Sequence, residues 1–181
     1  MSVLLVIFSV NGSSNTPFKF SSVSTSATHS CGIIDGTNEA LCWSSSTTNV
    51  NQFGELDVPK RKAFKQIVAA YNHSCGIDTD DNLLCWGLKT QSETDIPPNT
   101  KAKEVAIGDG FVCAVLLNET VQCWNSLFPT LFVDYDRLLT KPIHKCKSLS
   151  ANGYSVCALC LDGTTGNYET IRCSGLEIPP F

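Results

Sequence analysis

Four times along the 181-residue chain a cysteine is followed, ten to sixteen residues later, by a second cysteine in a similar setting. The segments run from His29-Ser30-Cys31-Gly32 to Cys42-Trp43, from His73-Ser74-Cys75-Gly76 to Cys85-Trp86-Gly87, from Phe111-Val112-Cys113 to Cys123-Trp124, and from Ser155-Val156-Cys157 to Cys173-Ser174-Gly175. The first cysteines are spaced by 44, 38 and 44 residues. A period near forty residues marks a solenoid or a propeller. One such unit cannot bury its own apolar face, so function has to be sought on a surface that several units build together.

The repeat fixes local structure as well as period. Eight residues before each first cysteine stands an aliphatic side chain: Val23, Ile67, Val105 and Leu149. The stretches 20–26, 64–70 and 102–108 are short, apolar and end in small residues, the pattern of buried strands that pack close to a crowded axis. A second strand carries the first cysteine. A polar turn follows at Asp35-Gly36, Asp80-Asp81-Asn82, Asn118-Glu119 and Asp162-Gly163, residue types that bond locally or accept positive φ. A third strand carries the second cysteine. Each unit therefore contains a β-hairpin with one cysteine on each arm. Directly opposed residues of an antiparallel pair lie about 4.5–5.5 Å apart, a separation that a disulfide spans. The spacing predicts Cys31–Cys42, Cys75–Cys85, Cys113–Cys123 and Cys157–Cys173, the last across a hairpin enlarged by 163–167. By the chain-entropy model each contributes up to about 2–3 kcal/mol, less any strain. The expected fold is all-β, a propeller-like array of about four disulfide-stapled blades, with units near 20–59, 64–98, 102–142 and 146–180.

Two cysteines remain, Cys146 and Cys160. Pairing them gives a fifth disulfide. The alternative is a zinc set of His144, Cys146, Cys157 and Cys160, which would leave Cys173 without a partner. A redox role for Cys157-Ala158-Leu159-Cys160 lacks the surrounding βαβ pattern. Ten regularly placed cysteines suit an oxidising compartment. So do three glycosylation sequons, at Asn11, Asn72 and Asn118. Residues 3–10 (VLLVIFSV) are too short to span a bilayer. They read either as the core of a signal peptide within residues 1–13 or as a strand remnant.

Composition narrows the function classes. Hydrophobic residues make up 43% and charged residues 17%, a globular composition. The net charge is −4 with no long basic run, so nucleic acid is not an expected partner. No nucleophile elbow, zincin helix or phosphate-binding loop occurs, and no cofactor or metal is expected. His29 and His73, two residues before a cysteine, read as structural turn residues. Trp43, Trp86 and Trp124 follow the second cysteines and read as packing between neighbouring sheets, with an exposed aromatic patch as the alternative.

His-Ser-Cys-Gly-Ile followed by Cys-Trp-Gly, with an upstream Phe-x-x-Ile-x-Ala-Ala strand, resembles the propeller repeat of the regulator-of-chromosome-condensation type. The paired cysteines and short period look closer to its secreted branch, the ectodomain of plant Crinkly-type receptor-like serine/threonine kinases. The resemblance covers roughly residues 20–180 and is strongest in the second unit. It implies a cell-surface propeller of seven blades joined to a membrane-spanning helix and a kinase. No His-Arg-Asp or Asp-Phe-Gly is present, so no enzymatic activity is expected of this chain, and membrane attachment would need a segment not in it. The expected role is recognition of an extracellular peptide or protein through the inter-unit loops 44–53, 87–93 and 125–136. A homodimer that closes the propeller is a second expected partner. The alternatives are an intracellular propeller associated with chromatin or a GTPase, and an inhibitor-like propeller that plugs an enzyme.

Overall fold

A computed structural model describes residues 5–6, 18–44, 51–88, 95–124, 145–153, 155–161 and 166–174. Each repeat forms one antiparallel sheet. The first comprises β1 (Leu5–Val6), β2 (Phe18–Thr25), β3 (Ser30–Ile34) and β4 (Ala40–Trp43). The second comprises β5 (Phe64–Ala69), β6 (His73–Asp78) and β7 (Leu83–Gly87). The third comprises β8 (Ala102–Gly108), β9 (Phe111–Leu116) and β10 (Val121–Trp124), and the fourth β11 (Cys146–Asn152), β12 (Ser155–Leu161) and β13 (Tyr168–Ser174). In the segment expected to be a signal peptide or a strand remnant, Leu5 and Val6 pair with Lys19 and Phe18; the rest of residues 1–13 lies outside the described residues.

The staples sit where the hairpin registers place them. Cys31 faces Cys42, Cys75 faces Cys85, Cys113 faces Cys123 and Cys157 faces Cys173, each pair directly opposed on adjacent strands and each a disulfide. The fifth disulfide joins Cys146 to Cys160 across β11 and β12. Those sulfurs are therefore spent, and the zinc alternative loses its thiolates.

All four sheets carry the same irregularity. The register shifts between Phe20 and Ser22, Phe64 and Gln66, Ala102 and Glu104, and Cys146 and Ser148. Such a bulge adds one residue to one strand. Its consequence is that side chains three apart reach the same face. Phe64 and Ile67 would point to opposite sides of a regular strand, yet both join one buried cluster with Cys31, Ile33, Cys42 and Trp86.

This cluster shows how neighbouring sheets meet. The face of the second sheet bearing Phe64, Ile67 and Trp86 packs on the disulfide face of the first. One step along, Val105, Ala102 and Trp124 pack against Cys75, Ile77 and Cys85. Another step along, Leu149 and Cys146 pack against Cys113, Val115 and Cys123. Each seam also carries the same backbone bond. The amides of Phe64, Ala102 and Cys146 donate to the carbonyls of Asn38, Asp81 and Glu119 at 2.7, 2.9 and 2.8 Å. Those three turn residues all have positive φ, at 58°, 68° and 70°. The left-handed conformation, costly for a residue with a Cβ, recurs at the hairpin residue whose carbonyl receives the next sheet.

Two glycines follow from the packing. A Cβ on Gly32 or Gly76 would lie 2.6 Å from the ring of Phe20 or Phe64. Where the third sheet replaces the phenylalanine by Ala102, the glycine position becomes Ala114, and both are fully buried.

Candidate functional site

The C-terminal ends of β2, β5, β8 and β11 converge on a cavity of about 650 Å³. Its walls are the same register in every repeat: Ser24–Ala27, Val68–Tyr71, Val105–Asp109 and Leu149–Gly153, with Gln66 completing one side. Small residues are required here because four strands approach one axis. Ala70 and Gly108 occupy the same repeat position, and a Cβ on Gly108 would overlap the Phe111 ring at 1.9 Å. The position of the cavity also reflects hydrogen bonds across the seams. Ala69 N donates to Ser24 Oγ at 3.0 Å, and the Gln66 amide makes two bonds of 3.0 Å to the Val105 backbone. Gln66 thereby acts as a short length of strand and closes the wall between the second and third sheets.

The lining is mostly neutral. It offers hydroxyls and amides from Ser24, Ser26, Gln66, Ser150 and Asn152, and its one charged side chain is Asp109. Asp109 is exposed, and its backbone amide donates to Gly153 O at 2.6 Å, which fixes the loop to the fourth sheet. Tyr71 also lines the cavity, 54% exposed at the rim. No lysine or arginine lines it among the described residues. A single carboxylate among neutral hydrogen-bonding groups favours a ligand that brings a cation and several donors.

The two histidines lie on the seams, away from the cavity. His29 does form the turn bonds expected of it, from Nδ1 to Ser26 Oγ at 3.2 Å and Thr28 Oγ1 at 3.1 Å. Its Nε2 reaches across to Ser74 Oγ at 2.7 Å, and burial holds its pKa below the usual imidazole value. A histidine–serine pair at this distance invites comparison with a nucleophile and its base. Ser74, however, is fully buried, and its hydroxyl is committed to His29 and to Glu55 O at 3.3 Å. No substrate can reach it. The same Glu55 carbonyl accepts from Trp86 Nε1 at 3.0 Å, so Glu55 joins the first repeat's closing segment to the second sheet.

His73 is the repeat counterpart of His29. It is 2% exposed, and burial pushes its pKa down to about 4. Its ring hydrogen-bonds the Phe111 backbone, but its Nε2 has no partner among the described residues. The sequence explains this orphan. Val112 occupies in the third repeat the position that Ser74 occupies in the second.

Of the other residues singled out by sequence, Trp86 is buried in a seam, while Trp43 and Trp124 are half-buried. Trp43 lies 5.3 Å from Phe20, centroid to centroid. Asn118 is exposed in its hairpin turn, where its Oδ1 accepts from the Thr120 amide and hydroxyl. Asn72 is half-buried, and Asn11 lies outside the described residues. The loops expected to meet a ligand fall largely outside them too, at 45–50, 89–94 and 125–144. Sequence reasoning missed the cavity, because it is built by residues some forty positions apart. The available signal was the run of serine, alanine, glycine and asparagine at the strand ends.

Comparison with known proteins gives the architecture its place. Residues 64–90, which span the second sheet, match the regulator of chromosome condensation (RCC1) repeat. The fold is similar to the entire ectodomain of the receptor kinase CR4 of Physcomitrella patens, with a TM-score of 0.63 and 22% identity over 86% of this chain and 39% of that one. It is equally similar to the CRINKLY WD40 ectodomain of the Arabidopsis thaliana receptor kinase ACR4, with a TM-score of 0.63 and 23% identity over 90% of this chain and 53% of that one. Yeast RCC1 (Prp20), in a structure bound to Kap60, aligns at a TM-score of 0.55 and 13% identity, over 78% of this chain and 42% of that one. The chain thus has a propeller fold, carries an RCC1 repeat, and spans only about half, or less, of the length of each of these structures.

Proposed function

We propose that the chain is an extracellular recognition module that binds a basic peptide segment at the mouth of the cavity. The observation that carries this reading is the cavity itself, with Asp109 as the one charged group in a neutral, hydrogen-bonding wall. A lysine or arginine side chain, or a peptide amino terminus, would sit against Asp109 while the peptide backbone bonds the hydroxyls and amides around it. Five disulfides, with no free cysteine among the described residues, support an oxidising compartment. They weigh against the intracellular chromatin or GTPase reading, which would leave these thiols reduced. Binding without catalysis is the reading that fits the buried His29–Ser74 pair, and signalling would require a kinase joined to this module. Glycans on Asn118 and Asn72 belong to the same proposal.

The test is selection of peptides from a displayed library against the secreted, oxidised chain. Selected peptides should be rich in lysine or arginine. Asn152→Trp, which fills the mouth from an exposed position, should abolish their binding. Asp109→Asn should weaken it about three- to fivefold, the worth of one solvent-accessible ion pair. Peptides that bind both variants as tightly as the parent would sink the reading.

A further inference from the structure

Among the described residues, two sheet faces lack the contact that the other faces make. Val23, Ile67, Val105 and Leu149 occupy one repeat position. The last three are 4%, 1% and 7% exposed, because each packs on the disulfide face of the preceding sheet, whereas Val23 is 42% exposed. At the other end, Cys31, Cys75 and Cys113 are fully buried by the sheet that follows, whereas Cys157 is only half-buried. Two residues on from these cysteines, Ile33, Ile77 and Val115 are 2%, 0% and 0% exposed, while Leu159 is half-buried. Ile171, the counterpart of Leu83, is 70% exposed against 4%. The two uncovered faces are the two halves of a seam that the molecule already forms three times.

We propose that these faces meet between two copies of the chain. The Val23 face of each copy docks on the Cys157–Leu159–Ile171 face of the other, head to tail, and two four-sheet arcs close one ring of eight. The arrangement is heterologous at each seam yet closed, with two identical seams related by a two-fold axis. Eight sheets lie within the range found for propellers. The span supports the count, since this chain covers 53% of the Arabidopsis ectodomain and two copies would make one such length. Polar groups match as well. In the first seam Ser24 accepts a hydrogen bond from the amide of Ala69. Ser150, exposed in the fourth sheet, is the repeat counterpart of Ser24, and Thr25 that of Ala69. In the ring, Ser150 of one copy therefore accepts from the Thr25 amide of the other. Ring closure would also complete the cavity wall between its first and fourth sides.

The measurement is the solution mass of the full oxidised chain, expressed without glycans. The expected mass is twice the 19.6 kDa of one chain, with dissociation on dilution below the micromolar range. Val23→Asp, on a side chain already exposed in the single copy, should leave the five disulfides intact. It should raise the dissociation constant at least a hundredfold, because each dimer contains the altered seam twice. Thr25→Cys combined with Ser150→Cys should give a covalent dimer on a non-reducing gel. A wild-type chain that keeps the mass of a single copy throughout the micromolar range overturns the proposal. So do oligomers that keep growing with concentration, which would mean an open filament, and so does a dimer indifferent to Val23→Asp.

Discussion

The second and third sheets share a period, a disulfide and a seam geometry, but they fill their cores in opposite ways. In the second, the large Phe64 ring lies over Gly76, and His73 sits in the register of Ala70. In the third, Ala102 is matched by Ala114, and the large ring is instead Phe111, lodged over Gly108. Volume lost at one position is recovered at another, as close packing demands. A repeat is therefore a set of coupled positions, and a residue that departs from the consensus has to be read with its partner.

The largest expected effect comes from breaking that coupling in the second sheet. Phe64 is fully buried, with its ring 6.0 Å from Trp86. Phe64→Ala should cost about 3–5 kcal/mol in denaturant unfolding. Gly76→Ala alone should cost about 1–3 kcal/mol, because its Cβ would meet the ring at 2.6 Å. Together they recreate the alanine pair of the third sheet, and the double variant should be more stable than the sum of the two losses. Additive losses would show that the glycine is not there for the ring.

The disulfides should distinguish the two sheets less. Cys75–Cys85 and Cys113–Cys123 both close a separation of ten residues. Replacing either pair by serines should cost about 2–3 kcal/mol if the effect lies in the unfolded chain. A clear difference between the two double variants would assign part of the effect to the native packing around each staple.

These comparisons mark what the chain's letters could reveal. The strands, the cysteine pairing and the matching faces follow from residues close in sequence and from their period. The bulge between Phe64 and Gln66 does not, although the three-residue spacing of Phe64 and Ile67 on one face requires it. Nor does the left-handed Glu119, an unusual residue for positive φ, whose carbonyl is fixed by the Cys146 amide of the next sheet. The cavity and the His29–Ser74 bond join residues about one repeat apart. They become visible only when two repeats are superposed in space rather than aligned on a line.

Acid should separate the sheets next. The folded pKa of His73 is about 4, below the ordinary imidazole value of 6.5, so the native state resists its protonation. Its contribution is fully present above about pH 6.5 and is lost as pH falls toward 4, with a slope of at most about 1.4 kcal/mol per pH unit. Asp78 acts lower. It is held at about 2 despite its burial, by bonds from Lys62 and Asn82, so its contribution is present above 3.8 and lost between 3.8 and about 2. His73→Gln, which does not titrate, should flatten the upper limb of the stability profile and leave the lower one. An unchanged upper limb would move the acid sensitivity away from this seam.

The smallest effect is the most specific. The third sheet offers Val112 where the second offers Ser74, and His73 Nε2 is left without a partner among the described residues. With the ring bonded to the Phe111 backbone and neutral at pH 7, Nε2 is an acceptor awaiting a donor. Val112→Thr keeps the branched shape and supplies a hydroxyl at the position from which Ser74 meets His29. Val115→Thr is the control, since both valines are fully buried but Val115 belongs to the core between the third and fourth sheets. Burying a hydroxyl with no partner costs about 1–3 kcal/mol, and the control should show that loss. Val112→Thr should lose about 1 kcal/mol less, the net worth of one hydrogen bond, and the advantage should vanish in a His73→Gln background at acid and neutral pH alike. Equal losses at the two positions would mean that His73 does not present Nε2 to the third sheet, and that the histidine–serine bond belongs to the first seam alone.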